Sequence, residues 1–367
     1  MRKILWIVIV VALPLFASNS LRAEISIEQL LDQAQIAEGE VATRDLPRWQ
    51  GANKILLVDV GIDLSDIIAA MPDVEVIVVS STADAMQHAS TVDAIVGSCD
   101  AGLIAAAERL VWVQIYWAGA ERCLSVEEIA NGEVVMTNMQ KMSSPVIAEH
   151  AIAMTLSLTR GLPRYVHAMS EGKWARNDIY RAEMMSVAGK KMLVAGLGGI
   201  GMEVARLGAA LGMRVSGTRN SSRNGPDYVE YVGLSDELTT LAAEADIVVN
   251  ALPLTDGTRD LFDAEFFSSV KPGAIFVNVG RGKTVVTDDL IAALESGQIS
   301  AAGLDVTDPE PLPATNALWQ RDDVIITPHV AGSGGERERH MVLLIENLRR
   351  YAVGDPLLNV VDPQKGY

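Results

Sequence analysis

Leu193-Val194-Ala195-Gly196-Leu197-Gly198-Gly199-Ile200-Gly201 is the stretch that decides the fold. A short apolar run ends in a glycine-rich turn, and an alanine-rich helical stretch, Met202 to Leu211, follows it. The first two glycines let the backbone turn tightly and approach a pyrophosphate, and the third lets helix and strand pack closely. The phosphate would sit on the free N–H groups at the helix N-terminus. Glycine-rich turns also end many buried strands that bind nothing. Here strand, turn and helix are all present, and a second strand follows at Arg214–Thr218. That context predicts a dinucleotide site over Gly196, Gly198, Gly199, Ile200 and Gly201.

In an NAD-preferring site the second strand ends in Asp or Glu, about 20 residues on, to hold the ribose 2′-OH. This chain has no acid there and reads Gly217-Thr218-Arg219-Asn220-Ser221-Ser222-Arg223. The guanidiniums of Arg219 and Arg223, with Asn220 and Ser221, suit a 2′-phosphate, and no local carboxylate repels it. The same residue types also make ordinary solvated loops. The missing acid favours NADP(H), with NAD(H) as the alternative.

The chain has 367 residues and a formal charge of −17. That length allows two domains with ample cores. The acidic balance offers no basic patch for nucleic acid. Residues 24–50 read as polar and helix-like, closed by Pro47 and Gly51. A regular alternation then begins, with strand-like runs at Ile55–Val60, Val74–Val79, Ala94–Gly97, Val111–Ile115 and Val134–Thr137. Val146–Leu158 is an apolar helical run fit to bridge two domains. A second alternation places strands at Met192–Ala195, Arg214–Thr218, Ile247–Ala251, Ala274–Val279, Ala302–Val306 and Val324–Thr327, before a helix at Glu336–Ala352 and an irregular tail. Such alternation predicts doubly wound α/β architecture, with parallel sheets covered on both faces.

The N-terminus differs. Arg2-Lys3 precedes an apolar run from Ile4 to Phe16, and Ala23 closes a small-residue region. This is the pattern of a secretory signal over residues 1–23, and it predicts export, to the periplasm, with no membrane partner once the signal is cleaved. The run is shorter than the roughly 20 residues that span a bilayer. An uncleaved anchor and a buried N-terminal strand are the alternatives. Two cysteines, Cys99 and Cys123, follow predicted strands. They would pair in an oxidising compartment, or pack as two small buried hydrophobes.

Three polar residues fall just beyond strand ends in the second half, where open α/β sheets bind ligands. Arg281 follows Val277-Asn278-Val279-Gly280. Glu310 lies in Leu304-Asp305-Val306-Thr307-Asp308-Pro309-Glu310-Pro311. His329 lies in Ile326-Thr327-Pro328-His329-Val330-Ala331-Gly332. Singly, each has a plain reading as a surface or turn residue. His88, His150, His167 and His340 all fall in helix-like stretches, which sets His329 apart.

With these motifs in view, the chain resembles the D-isomer-specific 2-hydroxyacid dehydrogenases, glyoxylate and hydroxypyruvate reductases among them. The resemblance covers roughly residues 54–367. It rests on Gly196–Gly201, Leu252-Pro253-Leu254-Thr255, Asn278-Val279-Gly280-Arg281-Gly282, Leu304–Leu312, Thr327-Pro328-His329 and Asn359-Val360-Val361-Asp362. It implies hydride transfer between a nicotinamide cofactor and a small 2-keto or D-2-hydroxy acid. The family's catalytic Arg, Glu and His match Arg281, Glu310 and His329. His329 would give the carbonyl oxygen its proton, Glu310 would hold the imidazole, and Arg281 would bind the carboxylate and polarise the carbonyl.

The resemblance also implies that Leu252, Pro253, Thr258 and Val279 flank the cofactor. Ser98, Cys99, Ala118 and Gly119 would face the substrate. It implies a Rossmann cofactor domain at 152–331, and a flavodoxin-like substrate domain at 50–151 plus 332–367. A cleft would lie between the two, and the chain would be a homodimer. Trp117 and Arg219 depart from the family's usual small or polar residue and acid. The alternative function is a non-catalytic NAD(P)H sensor of the same fold. Formate dehydrogenase relatives carry Gln at the position of Glu310. No metal-ligand cluster is expected.

Overall fold

The computed structural model describes residues 25–58, 69, 71–176, 184–220, 222–335 and 337–366. The proposed signal and Ser221 lie outside them. Helix α1 (Ile27–Ala34) starts at a capping box: the Ser26 hydroxyl accepts from the Gln29 N–H, and the Gln29 side chain accepts from the Ser26 N–H. The helix expected over residues 24–50 stops early. Gln35 caps it in the left-handed conformation, and strand β1 (Glu38–Ala42) follows. β1 pairs antiparallel with β14 (Pro356–Leu358), inside the tail expected to be irregular.

Two parallel sheets carry the molecule. The first holds β2 (Lys54–Val58), β3 (Glu75–Val79), β4 (Ala94–Val96), β5 (Trp112–Gln114) and β6 (Val135–Thr137), in the order β3-β2-β4-β5-β6. The second holds β7 (Lys191–Ala195), β8 (Arg214–Arg219), β9 (Tyr231–Leu234), β10 (Ile247–Asn250), β11 (Ala274–Asn278), β12 (Ile299–Leu304) and β13 (Val324–Ile326), in the order β13-β12-β11-β10-β7-β8-β9. The strand order reverses between β2 and β4 in one sheet, and between β7 and β10 in the other. Those are the points where open α/β sheets bind ligands.

The apolar runs follow from burial on both faces. Leu56, Ile95 and Val113 enter one core of the first sheet, while Ile55, Leu57 and Trp112 enter the other. In the second sheet Leu193, Val248 and Phe276 face one side, and Met192, Val249 and Val277 the other. Helix α2 (Ser144–Thr159) packs Ala148, Ala151 and Met154 on the second sheet. Helix α3 (Leu162–Ser170) follows it. Helix α4 (Gly199–Ala210) rises from the glycine turn. Helix α5 (Arg337–Val353) returns to the first sheet, burying Leu343, Leu348 and Tyr351 beside Ile55 and Trp112. Leu30 of α1 joins the same core, so residues ahead of position 50 pack with this sheet too.

Candidate active site

The glycine turn is built as its sequence demands. Gly196 sits at φ +91, in the region L side chains avoid, and its N–H donates to the Thr218 hydroxyl. A Cβ on Gly201 would lie 2.0 Å from the Gly196 carbonyl oxygen, so only glycine lets α4 start this close to β7. No side chain caps α4, which leaves its first N–H groups free for an anion. Ile200 is half-buried, Val279 is buried, and the Leu252 side chain lies over Gly196.

Several polar atoms around this turn fit a dinucleotide. The Nε of Arg219 and the Oγ of Ser144 are buried without a hydrogen-bond partner, an arrangement a phosphate-bearing ligand would relieve. Lys141 lies beside Gly199, and its pKa is lowered by burial and by the neighbouring Arg219 charge. Two crowded cations at a helix N-terminus suit an anion. The sequence reading missed Lys141 and Ser144. Both belong to the segment that enters α2, far from the glycine motif in the chain.

Arg223 is engaged by an acid. Its guanidinium pairs with Glu237 at 2.7 Å and donates to the Tyr231 hydroxyl, so a carboxylate does stand near the loop and holds this arginine. Glu237 comes from a turn after β9 and was invisible to local reading. Asn220 is exposed. Pro253 is exposed, and Thr258 closes its own loop by donating to the Pro253 carbonyl at 2.6 Å.

Glu310 and His329 come together. His329 Nδ1 lies 2.6 Å from Glu310 Oε1, and both side chains are partly exposed. With Nδ1 held by the carboxylate, Nε2 is the nitrogen left to face a ligand. The His329 backbone takes φ +55, and its N–H donates to the Asp305 carbonyl at 2.8 Å. The buried Asp305 carboxylate anchors this loop. It accepts from the Thr327 hydroxyl at 2.6 Å and from the N–H groups of Val330 and Ala331 at 2.9 and 3.0 Å. His150 of α2 reaches the same anchor, with Nε2 at 2.9 Å from the Thr327 hydroxyl. The sequence reading placed His150 on a helix and gave it no role. Its polarity amid Ala148, Ala151 and Ile152 was the available signal.

Arg281 is fixed from below by a buried network. Asn278 donates to the Arg281 carbonyl and accepts from the Asn250 amide, which also donates to Thr284. Its guanidinium crosses to the other sheet: Nε donates to Glu121 Oε1 at 2.8 Å, and Nη1 donates to the Gly280 carbonyl at 2.9 Å. Gly119 lies against this pair, and the Ala118 carbonyl accepts from the Asn138 amide. Ser98 is buried on the loop after β4, where its hydroxyl accepts from the Asp100 N–H. Trp117 is exposed on the loop after β5. Cys99 and Cys123 form a disulfide with Cα atoms 5.4 Å apart, which joins these two loops.

The family model for "D-isomer specific 2-hydroxyacid dehydrogenase, NAD binding domain" matches residues 152–331. Hydroxypyruvate reductase of Thermotoga maritima is 32% identical over 61% of this chain and 72% of its own length. Glyoxylate reductase of Pyrococcus furiosus is 33% identical over 68% of this chain and 75% of its own. A D-isomer specific 2-hydroxyacid dehydrogenase from Xanthobacter autotrophicus Py2, solved with NADPH and MES, superimposes with a TM-score of 0.73 at 30% identity. That match covers 86% of this chain and 99% of the other.

Proposed function

The chain belongs to the D-isomer specific 2-hydroxyacid dehydrogenase family, NAD(P)-dependent oxidoreductases of small 2-hydroxy and 2-keto acids, and from that premise we propose that Arg281, Glu310 and His329 carry its chemistry. The bound nicotinamide supplies the hydride. Arg281 binds the substrate carboxylate and polarises the ketone. His329 Nε2 donates the proton that the carbonyl oxygen needs. Glu310 holds the imidazole through Nδ1 and balances its positive charge. The observation that carries this reading is the 2.6 Å contact between His329 and Glu310. The comparisons do not favour the sensor reading. His329→Ala should lower keto-acid turnover about 10²–10⁴-fold and leave NADPH affinity, read by fluorescence titration, nearly unchanged. Near-wild-type turnover would refute the assignment.

We propose NADP(H) as the preferred cofactor. Support comes from the absence of an acid at the end of β8 and from the unpartnered Nε of Arg219. The substrates proposed are glyoxylate and hydroxypyruvate, the compounds that name the relatives above.

We further propose an exported homodimer. Residues 1–23 carry the signal pattern, and among the described residues no helix is long and apolar enough to cross a membrane. Leu162, Val166 and Met169 are exposed along one face of α3, and Trp174 beyond it is 93% exposed. An apolar strip of this kind suits a second copy. Native and denaturing mass spectrometry of the periplasmic protein reads these features together. The expected species is a dimer of chains that begin near Glu24, each lighter by two hydrogens than the reduced form. A monomer, or a chain retaining Met1, removes the corresponding proposal.

A further inference from the structure

We infer that Glu121 is a specificity-determining residue, which neutralises Arg281 and restricts the site to keto acids carrying a single negative charge. The inference rests on Arg281 being the group that binds the substrate carboxylate. Glu121 stands on the loop after β5 and Arg281 on the loop after β11, so each sheet contributes one member of the pair. Their 2.8 Å contact is partly buried, with the side chains 33% and 29% exposed. Bulk solvent therefore screens it less than it would a surface pair.

The donor inventory explains how Arg281 can serve both partners. A guanidinium has five N–H donors in a fixed fork. Nε takes Glu121, and one Nη1 hydrogen takes the Gly280 carbonyl. Three donors remain, one on Nη1 and two on Nη2, enough for the two-pronged contact that matches a carboxylate. Gly119 makes room for the arrangement. A Cβ there would stand 2.5 Å from Arg281 Nη2 and 2.7 Å from Glu121 Oε2. The loop assigned to the substrate carboxylate thus lies against both charges.

The charges of the cleft then balance in pairs. Arg281 stands against Glu121, and a protonated His329 stands against Glu310. A monoanionic keto acid adds one negative charge and gains the bidentate contact with Arg281. A dianion brings a second negative charge toward a site where Glu121 has already offset Arg281. The penalty grows with each substrate charge, because each one feels the Glu121 carboxylate. This is selection by a resident repulsive group.

The test compares two keto acids of similar length, 2-oxopentanoate and the dicarboxylate oxaloacetate, with enzyme saturated in NADPH. Glu121→Gln keeps the shape and an acceptor for Arg281 Nε and removes only the charge. It should lower the preference for the monoanion, as the ratio of kcat/KM values, by about tenfold, chiefly through a lower KM for oxaloacetate. Glu121→Asp, which retains the charge, should keep the wild-type preference. An unchanged ratio in Glu121→Gln overturns the inference while the reductase reading stands. A wild type inactive on every 2-keto acid overturns both.

Discussion

Asp305 shows how single residues set this site. A buried carboxylate is costly unless it is fully hydrogen-bonded, and here three donors from Thr327, Val330 and Ala331 close on it. Hydrogen bonds to a charged group are worth about 1.5–3 kcal/mol each, more together than the roughly 1–3 kcal/mol of holding His329 at positive φ. The anchor therefore wins, and the imidazole is delivered to Glu310. Arg219 differs, since its Nε is buried without a hydrogen-bond partner. Arg219→Asp should reduce NADPH affinity about tenfold to a hundredfold while changing NADH affinity much less, as titration of both cofactors would read. Equal losses for both cofactors would remove Arg219 from the 2′-phosphate site. Arg281, Glu310 and His329 were legible because each follows a strand end within a recognisable motif. Asp305, His150, Lys141 and Glu121 were not, because their partners lie in other parts of the chain. Glu237, the partner of Arg223, was hidden for the same reason, arriving from beyond β9.

At the scale of elements, legibility followed burial. Strands covered on both faces, such as β7, β10 and β11, write continuous apolar runs into the sequence, and all were foreseen. Three strands were missed. β9 is the edge of the second sheet and begins with the exposed Tyr231. β1 is half-exposed, and its partner β14 lies at the other end of the chain, so no local pattern announces either. The loops after β4 and β5 show what only coordinates supply. Sequence left Cys99 and Cys123 open between a bond and two thiols, and the structure joins them. That bond ties the loop of Ser98 to the segment following Gly119.

For the whole molecule, function follows from where two parallel sheets direct their carboxyl ends. The second sheet presents the glycine turn, Arg281 and the His329 loop, and the first presents Gly119 and Glu121. The Arg281–Glu121 contact and the approach of Lys141 to Gly199 bring the two sets together. The alternation of strands and helices was enough to foresee two doubly wound sheets, while the way their loops interlock was not. This assembly reduces a small 2-keto acid. The most direct measurement mixes the purified mature protein and NADPH with glyoxylate, hydroxypyruvate and pyruvate in turn, and follows NADPH oxidation with chiral analysis of the products. The expected result is equimolar loss of NADPH and formation of the 2-hydroxy acid, of D configuration where the product is chiral, with NADH a weaker donor. Tight binding of NADPH without its oxidation by any 2-keto acid would contradict it.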